Sequence, residues 1–160
     1  MSGMLGTVSG LETRTIVGEA LQGTLYDLMA LSQLVKQSRW SVIGPSFHSL
    51  HIYLDRFSVL LTEKIDEIAD SMVALGIPPF GQPKETSTRT LIQPVPNGFL
   101  RDGQVVGLID DRVTAFVRYS QGRQALIDDT DIMSADMLRN LSFTLTAFVR
   151  SMPSVAKLAA

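Results

Sequence analysis

Four stretches of helical periodicity, separated by a short, a long and a short link, constrain this chain more than any other feature. The first runs from Leu11 to Gln37, where Val17, Leu21, Leu25, Leu28, Leu31 and Val35 recur every three or four residues and share one face. The second, Phe47 to Leu75, carries Phe47, Leu50, Leu54, Phe57, Leu61, Ile68, Met72 and Leu75 in near-heptad register. Val106, Ile109, Val113 and Phe116 mark a third from Asp102 to Ile127. Leu138, Leu141, Leu145, Phe148 and Met152 mark a fourth from Ser134 to Met152. Ser46, after the helix-incompatible Gly44-Pro45, is the expected N-cap of the second helix, and Gly76, followed by Pro78 and Pro79, its expected C′ residue. Gly107 and Gly122 fall inside the third helix and weaken its intrinsic propensity.

Short links make antiparallel neighbours. The middle connection holds Pro78, Pro79, Pro83, Pro94 and Pro96 within about 25 residues, long enough to return the chain along the bundle. The expected fold class is therefore all-α: a four-helix bundle with one long crossover, the ferritin-like topology. Lys84 to Ile92 is expected to hold a short helix. The reading is one domain over residues 1–160, with residues 1–10 a glycine-bearing arm and 153–160 a short tail.

Hydrophobic residues make up 45% of the chain, enough for a core, and the net charge of −2 excludes binding nucleic acid by bulk charge. The absence of cysteine excludes disulfides, thiolate metal sites and cysteine nucleophiles. No apolar run approaches the roughly 20 residues of a membrane span, and Met1 to Leu11 lacks the pattern of a secretory signal, so a cytoplasmic location is expected.

The chemistry-bearing residues lie on the second helix. His51 and Asp55 are four apart, as are Asp66 and Asp70, and the four fall within about 100° of arc at 3.6 residues per turn. Imidazole and carboxylate together suit Fe(II), Mn(II) or Zn(II). One helix cannot close the site, because Asp55 and Asp66 stand about 16 Å apart along the axis. Two copies packed antiparallel about a two-fold axis would set His51 and Asp55 of one against Asp66 and Asp70 of the other. Spacing alone leaves open an ordinary solvent-facing strip.

The run Gln37-Ser38-Arg39-Trp40-Ser41-Val42-Ile43-Gly44-Pro45-Ser46-Phe47, with Leu50-His51-Ile52-Tyr53-Leu54-Asp55, Asp66-Glu67-Ile68-Ala69-Asp70 and Leu75-Gly76, resembles the Dps family of mini-ferritins. That resemblance implies a hollow homododecamer with a ferroxidase centre at the two-fold interface. It implies Fe(II) oxidised by hydrogen peroxide or O2 and stored as ferric iron, protecting the cell from peroxide and iron stress, and, in many members, DNA binding. It makes His51, Asp55, Asp66 and Asp70 ligands, with iron as the metal and zinc or manganese as alternatives, and sets Trp40 beside the centre as a redox-active or a packing residue. His48 is not a family ligand and is expected at a surface or interface. Tyr53 is expected to pack.

Two departures stand out. Arg39 occupies the position of the family's first histidine, and Asp70 that of a glutamate. A guanidinium stays protonated and cannot ligate a metal, and Asp is one methylene shorter than Glu. One of two iron positions is therefore expected to be lost or weakened, the remaining site using His51 and Asp55 with Asp66 or Asp70 of the partner subunit. Alternatively Arg39 forms an ion pair with Asp66 or Asp70 across the interface, or points outward and does neither. The alternative reading is an impaired cage acting by metal sequestration or by DNA or partner binding. An unrelated helical interaction module is a third.

Asp128, Asp129, Asp131 and Asp136 cluster near the last turn, where the family has a three-fold pore; Asp131 and Asp136 are the pore candidates, against a plain helix-dipole role. Met1 to Thr13 holds no Lys or Arg, and beyond Arg150 the one basic residue is Lys157. DNA binding is accordingly expected to be weak or absent, with nucleoid association at most secondary to the cytoplasmic location.

Overall fold

The computed structural model describes residues 10–152; the expected arm, apart from Gly10, and the tail lie outside the described residues. The chain runs α1 (Gly10–Ser41), β1 (Val42–Ile43), α2 (Phe47–Ala74), α3 (Pro83–Arg89), β2 (Leu100–Arg101), α4 (Asp102–Ile127) and α5 (Ile132–Arg150). The four long helices form the bundle, and α3 is the short helix of the crossover. Leu21, Leu28, Leu31, Leu50, Leu54, Phe57, Leu61, Ile68, Ile109, Phe116, Leu138 and Leu145 interlock in its core with essentially no exposure.

The stripes mispoint in places. Phe47 and Leu75, at the ends of the second stripe, are exposed, and Val105 rather than Val106 is fully buried. Gly107 and Gly122 do not interrupt α4; both lie on its exposed side with open space where a side chain would stand. Helix α2 ends as expected. Gly76 takes φ +71°, its N–H donates to the Val73 carbonyl and the Ile77 N–H to that of Met72, which satisfies two of the end carbonyls. The Arg14 guanidinium closes the same corner on the Gly76 carbonyl.

The other end of α2 departs from expectation. Ser46 precedes the helix but its hydroxyl makes no cap bond to it. The side chain and the N–H of Ser46 both turn to the Asp102 carboxylate, with the N–H at 2.9 Å. Asp102 also accepts from the Gly103 N–H at 2.8 Å. Gly44, at φ +125°, makes room for it: a Cβ there would lie 2.8 Å from the Asp102 carboxylate. The same junction carries a two-residue parallel ladder, Val42 with Leu100 and Ile43 with Arg101. The starts of α2 and α4 are thus stitched together at one end of the bundle, which fixes the crossover's destination.

Along its length the crossover is fastened by polar groups of α1. The Gln22 amide makes two bonds to the Phe80 backbone, 2.7 and 2.8 Å. The Tyr26 hydroxyl donates to Glu85 at 2.8 Å. Asp27, fully buried, accepts from the Thr90 hydroxyl and the Leu91 N–H, both at 2.8 Å, and lies 2.7 Å from the Arg123 guanidinium of α4. Gly23, one turn before Asp27, leaves the space Arg123 needs; a Cβ there would stand 2.7 Å from its Nε. Arg112 holds the last stretch through the Gln93 and Pro94 carbonyls.

Removing one partner of a buried ion pair strands the other charge. Asp27→Ala should therefore lower stability by about 3–5 kcal/mol in denaturant melts, and Gly23→Ala, which displaces Arg123, should lose part of the same amount. A second expectation concerns acid. The Ser46 N–H, then the Gly103 N–H, hold the Asp102 carboxyl below the usual carboxylate range. A depressed folded-state value means stabilisation that is complete above the unfolded value of about 3.9 and lost as pH falls through the folded one. The Tm difference between wild type and Asp102→Asn should be widest near neutral pH and close progressively below about pH 4.

Candidate metal centre

Helix α2 presents an open strip built by its own periodicity. Ile52, Asp55, Val59, Asp66, Asp70 and Val73 are all exposed and fall within about 60° of arc. The opposite face carries Leu50, Leu54, Phe57, Leu61 and Ile68 into the core. Three exposed aliphatic side chains interleaved with three carboxylates make a face suited to being covered by another helix.

His51 stands at the edge of this strip, half-buried, one turn before Asp55. Its ring lies 5.1 Å from that of Phe47, centroid to centroid. Its Nδ1 is shielded from solvent and has no hydrogen-bond partner among the described residues. An imidazole left unpaired next to an exposed carboxylate strip has the donor chemistry for a borderline metal such as Fe(II). Asp66 and Asp70 lie about four and five turns beyond His51 on the same helix, exposed, and do not approach it in one chain. Among the described residues no group of three or more His, Asp or Glu side chains converges to hold a metal ion.

Within one copy Arg39 pairs with Asp55: the guanidinium Nε lies 2.9 Å from Asp55 Oδ1. The reason is local. Arg39 is in the last turn of α1 and Asp55 in the third turn of α2, and the short link 42–46 folds these turns side by side. Asp66 of the same copy is about 16 Å further along α2.

Trp40 follows Arg39 and is 63% exposed, so within the chain it is not a packing anchor. It lines a groove of about 520 Å³ between the end of α1 and the crossover, with Gln37, Pro83, Thr90 and Val95. His48 is exposed. Tyr53 packs: its hydroxyl bonds the Phe148 carbonyl and Ser151, its ring lies 4.7 Å from Phe148, and burial raises its pKa.

The acidic turn is largely committed within the chain. Asp131 caps α5, accepting from the Met133 and Ser134 N–H groups at 3.2 and 3.3 Å and from the Ser134 hydroxyl at 2.8 Å. Arg139 bridges Asp136 and Asp128. Of the two pore candidates Asp136 is exposed, while Asp131 is spent on the helix end.

A family model described as a ferritin-like domain matches residues 18–145. The chain is also 30% identical over 123 residues to DNA protection during starvation protein 2 of Bacillus anthracis, covering 75% of this chain and 82% of that one. The chain belongs to the Dps family of the ferritin-like superfamily. DNA protection during starvation protein 1 of Deinococcus radiodurans is 31% identical over 131 residues, 81% of this chain; the match spans 63% of that protein, under two thirds of its length. The crystal structure of Dps92 from Deinococcus radiodurans superposes with a TM-score of 0.85 at 23% identity, over 89% of this chain and 87% of that one. At that identity the likeness establishes the Dps fold, an all-α bundle. No helix among the described residues is long and apolar enough to cross a membrane.

In this Dps chain the residues that the sequence reading missed are Gln22, Tyr26, Asp27, Arg112 and Arg123, which hold the crossover over α1 and α4. The available signal was a charged residue, Asp27, in the middle of an otherwise apolar helix face. The cap on α5 gives a direct check. Asp131→Ala should cost about 0.5–2 kcal/mol in chemical denaturation, whereas Asp136→Ala, which removes an exposed ion pair, should change stability by under about 1 kcal/mol.

Proposed function

We propose that this chain assembles into a Dps-type cage of twelve copies that binds Fe(II) at its two-fold interfaces, oxidises it and stores the ferric product. Family membership supports the iron-handling role, and one observation on α2 carries the choice of residues. His51 and Asp70, and independently Asp55 and Asp66, are equidistant from the same point, between Leu60 and Leu61. A dyad crossing the antiparallel helices there sets His51 and Asp55 of one copy against Asp66 and Asp70 of the partner subunit, and repeats the site by symmetry. Ile52, Val59 and Val73 would lose their exposure in the same step.

In this reading the iron is substrate. His51, Asp55, Asp66 and Asp70 hold it, and Trp40, exposed and adjacent in sequence to Arg39, is the redox-active ring of this reading. With peroxide the balance is two Fe(II) and one H2O2 giving two Fe(III) and two OH−; O2 is the other oxidant of this class. The shell would protect the cell by removing both reactants. DNA plays little part: the chain's net charge is −2, and few phosphates can be neutralised per copy. A cytoplasmic setting fits this role.

The interface origin of the site can be tested by complementation. The assembled protein should have a mass near twelve times the 17.5 kDa subunit. His51→Ala and Asp66→Asn should each slow Fe(II) oxidation at least about tenfold, read by absorbance of the ferric product. Dissociated and reassembled together, the two variants should regain about a quarter of the wild-type sites, because a mixed dimer restores one intact site. No regain, or a monomeric protein, would exclude the shared site.

A further inference from the structure

The pairing of Arg39 with Asp55 has no counterpart in a site built only of histidines and carboxylates. We propose that the Arg39 guanidinium is a resident cation on Asp55, so that each interface site takes one divalent ion rather than two. The proposal rests on reading the α2 face as metal-binding.

Three observations carry it. Arg39 Nε is shielded from solvent and lies 2.9 Å from Asp55 Oδ1, where a metal bound by that carboxylate would have to stand. The contact is electrostatic, without an aligned N–H bond, so the guanidinium acts through its charge. His51 Nδ1, one turn away, is left unpaired by Arg39 and by every other described residue. The two neighbours therefore differ in availability: the Asp55 carboxylate has Oδ1 claimed and is open only through Oδ2, while the imidazole is free. A guanidinium stays charged across the accessible pH range and offers no lone pair. A divalent ion beside it meets cation–cation repulsion, which at a few ångströms outweighs the small gain of an exposed ion pair. The favourable place for the ion is on the His51 side, completed by Asp66 and Asp70 of the partner subunit. The same fixed charge offsets repulsion between Asp55 and those two carboxylates, so the interface needs no metal to close.

Anaerobic Fe(II) and Co(II) titration of the assembled protein, with anomalous diffraction to place the Co(II), tests this. Wild type and Arg39→Lys should bind one ion per subunit, seated on His51. Arg39→Gln, which removes the charge without adding a metal ligand of the imidazole kind, should still bind one, on the order of tenfold more tightly. Arg39→His should bind two. Two ions per subunit in the wild type, or Arg39→Gln and Arg39→His titrating as wild type, would overturn the proposal while leaving the interface site standing. A His51→Ala protein that binds Co(II) as tightly as wild type would overturn both.

Discussion

The fold turns on one buried charge. Asp27 sits in the middle of α1 with no exposure, and its two oxygens serve two masters: Arg123 of α4, and the Thr90–Leu91 corner of the crossover. A carboxylate in that position is tolerated only if every oxygen is matched. The matching requirement selects the topology. If the crossover returned on another path, Asp27 would lose two donors; if α4 lay elsewhere, it would lose its counter-ion. Apolar packing alone is less particular, since four amphipathic helices can bury their stripes in more than one arrangement. Gln22 and Tyr26, on the same side of α1, extend the clamp along the crossover. The bundle supplies the bulk of the stability and this polar seam decides which bundle forms.

That fixed path has a functional side. By returning the crossover over α1 and starting α4 beside α2, the chain keeps the outer strip of α2 clear. Val42 and Ile43 pair with Leu100 and Arg101, and Asp102 grips Ser46, so that the first turns of α2 are held from behind. His51 and Asp55 lie in the turns that follow. The two side chains are presented on a helix whose N-terminal end is fixed by contacts made from sequence-distant residues, rather than on a loop.

Much of this is legible in the residues themselves. Apolar spacing located all four long helices, and Gly76 followed by prolines located the end of α2. The short helix expected within Lys84–Ile92 is α3, starting one residue earlier. The misses have physical causes. A two-residue ladder such as Val42–Ile43 with Leu100–Arg101 is too short to leave a period-2 pattern. Ser46 has the right identity for a cap, but the Asp102 carboxylate, more than fifty residues away in sequence, competes for it. Asp27 reads as one polar interruption in an apolar stripe because its partners lie on two segments distant in sequence, the Thr90–Leu91 corner and α4. The pairing of Arg39 with Asp55 within one copy went unseen because a pattern on one helix carries no information on which neighbouring helix turn it faces. His51, Asp55, Asp66 and Asp70 were legible as a set on one side of α2, and the structure keeps them there.

The direction of the helices adds a last point. α1 ends, α2 and α4 begin, and α5 ends at one pole of the bundle; the α4–α5 turn, with Asp128, Asp131 and Asp136, is at the other. With 26 residues in α4, the poles are about 40 Å apart, several screening lengths at physiological salt. Neither locus feels the other's charge, and neither can hand over an ion or a proton by side-chain contact. Within one copy, the acid pole and the Arg39–Asp55 pole are free to vary independently: changes at the two should add in free energy, and natural drift at one leaves the chemistry of the other untouched.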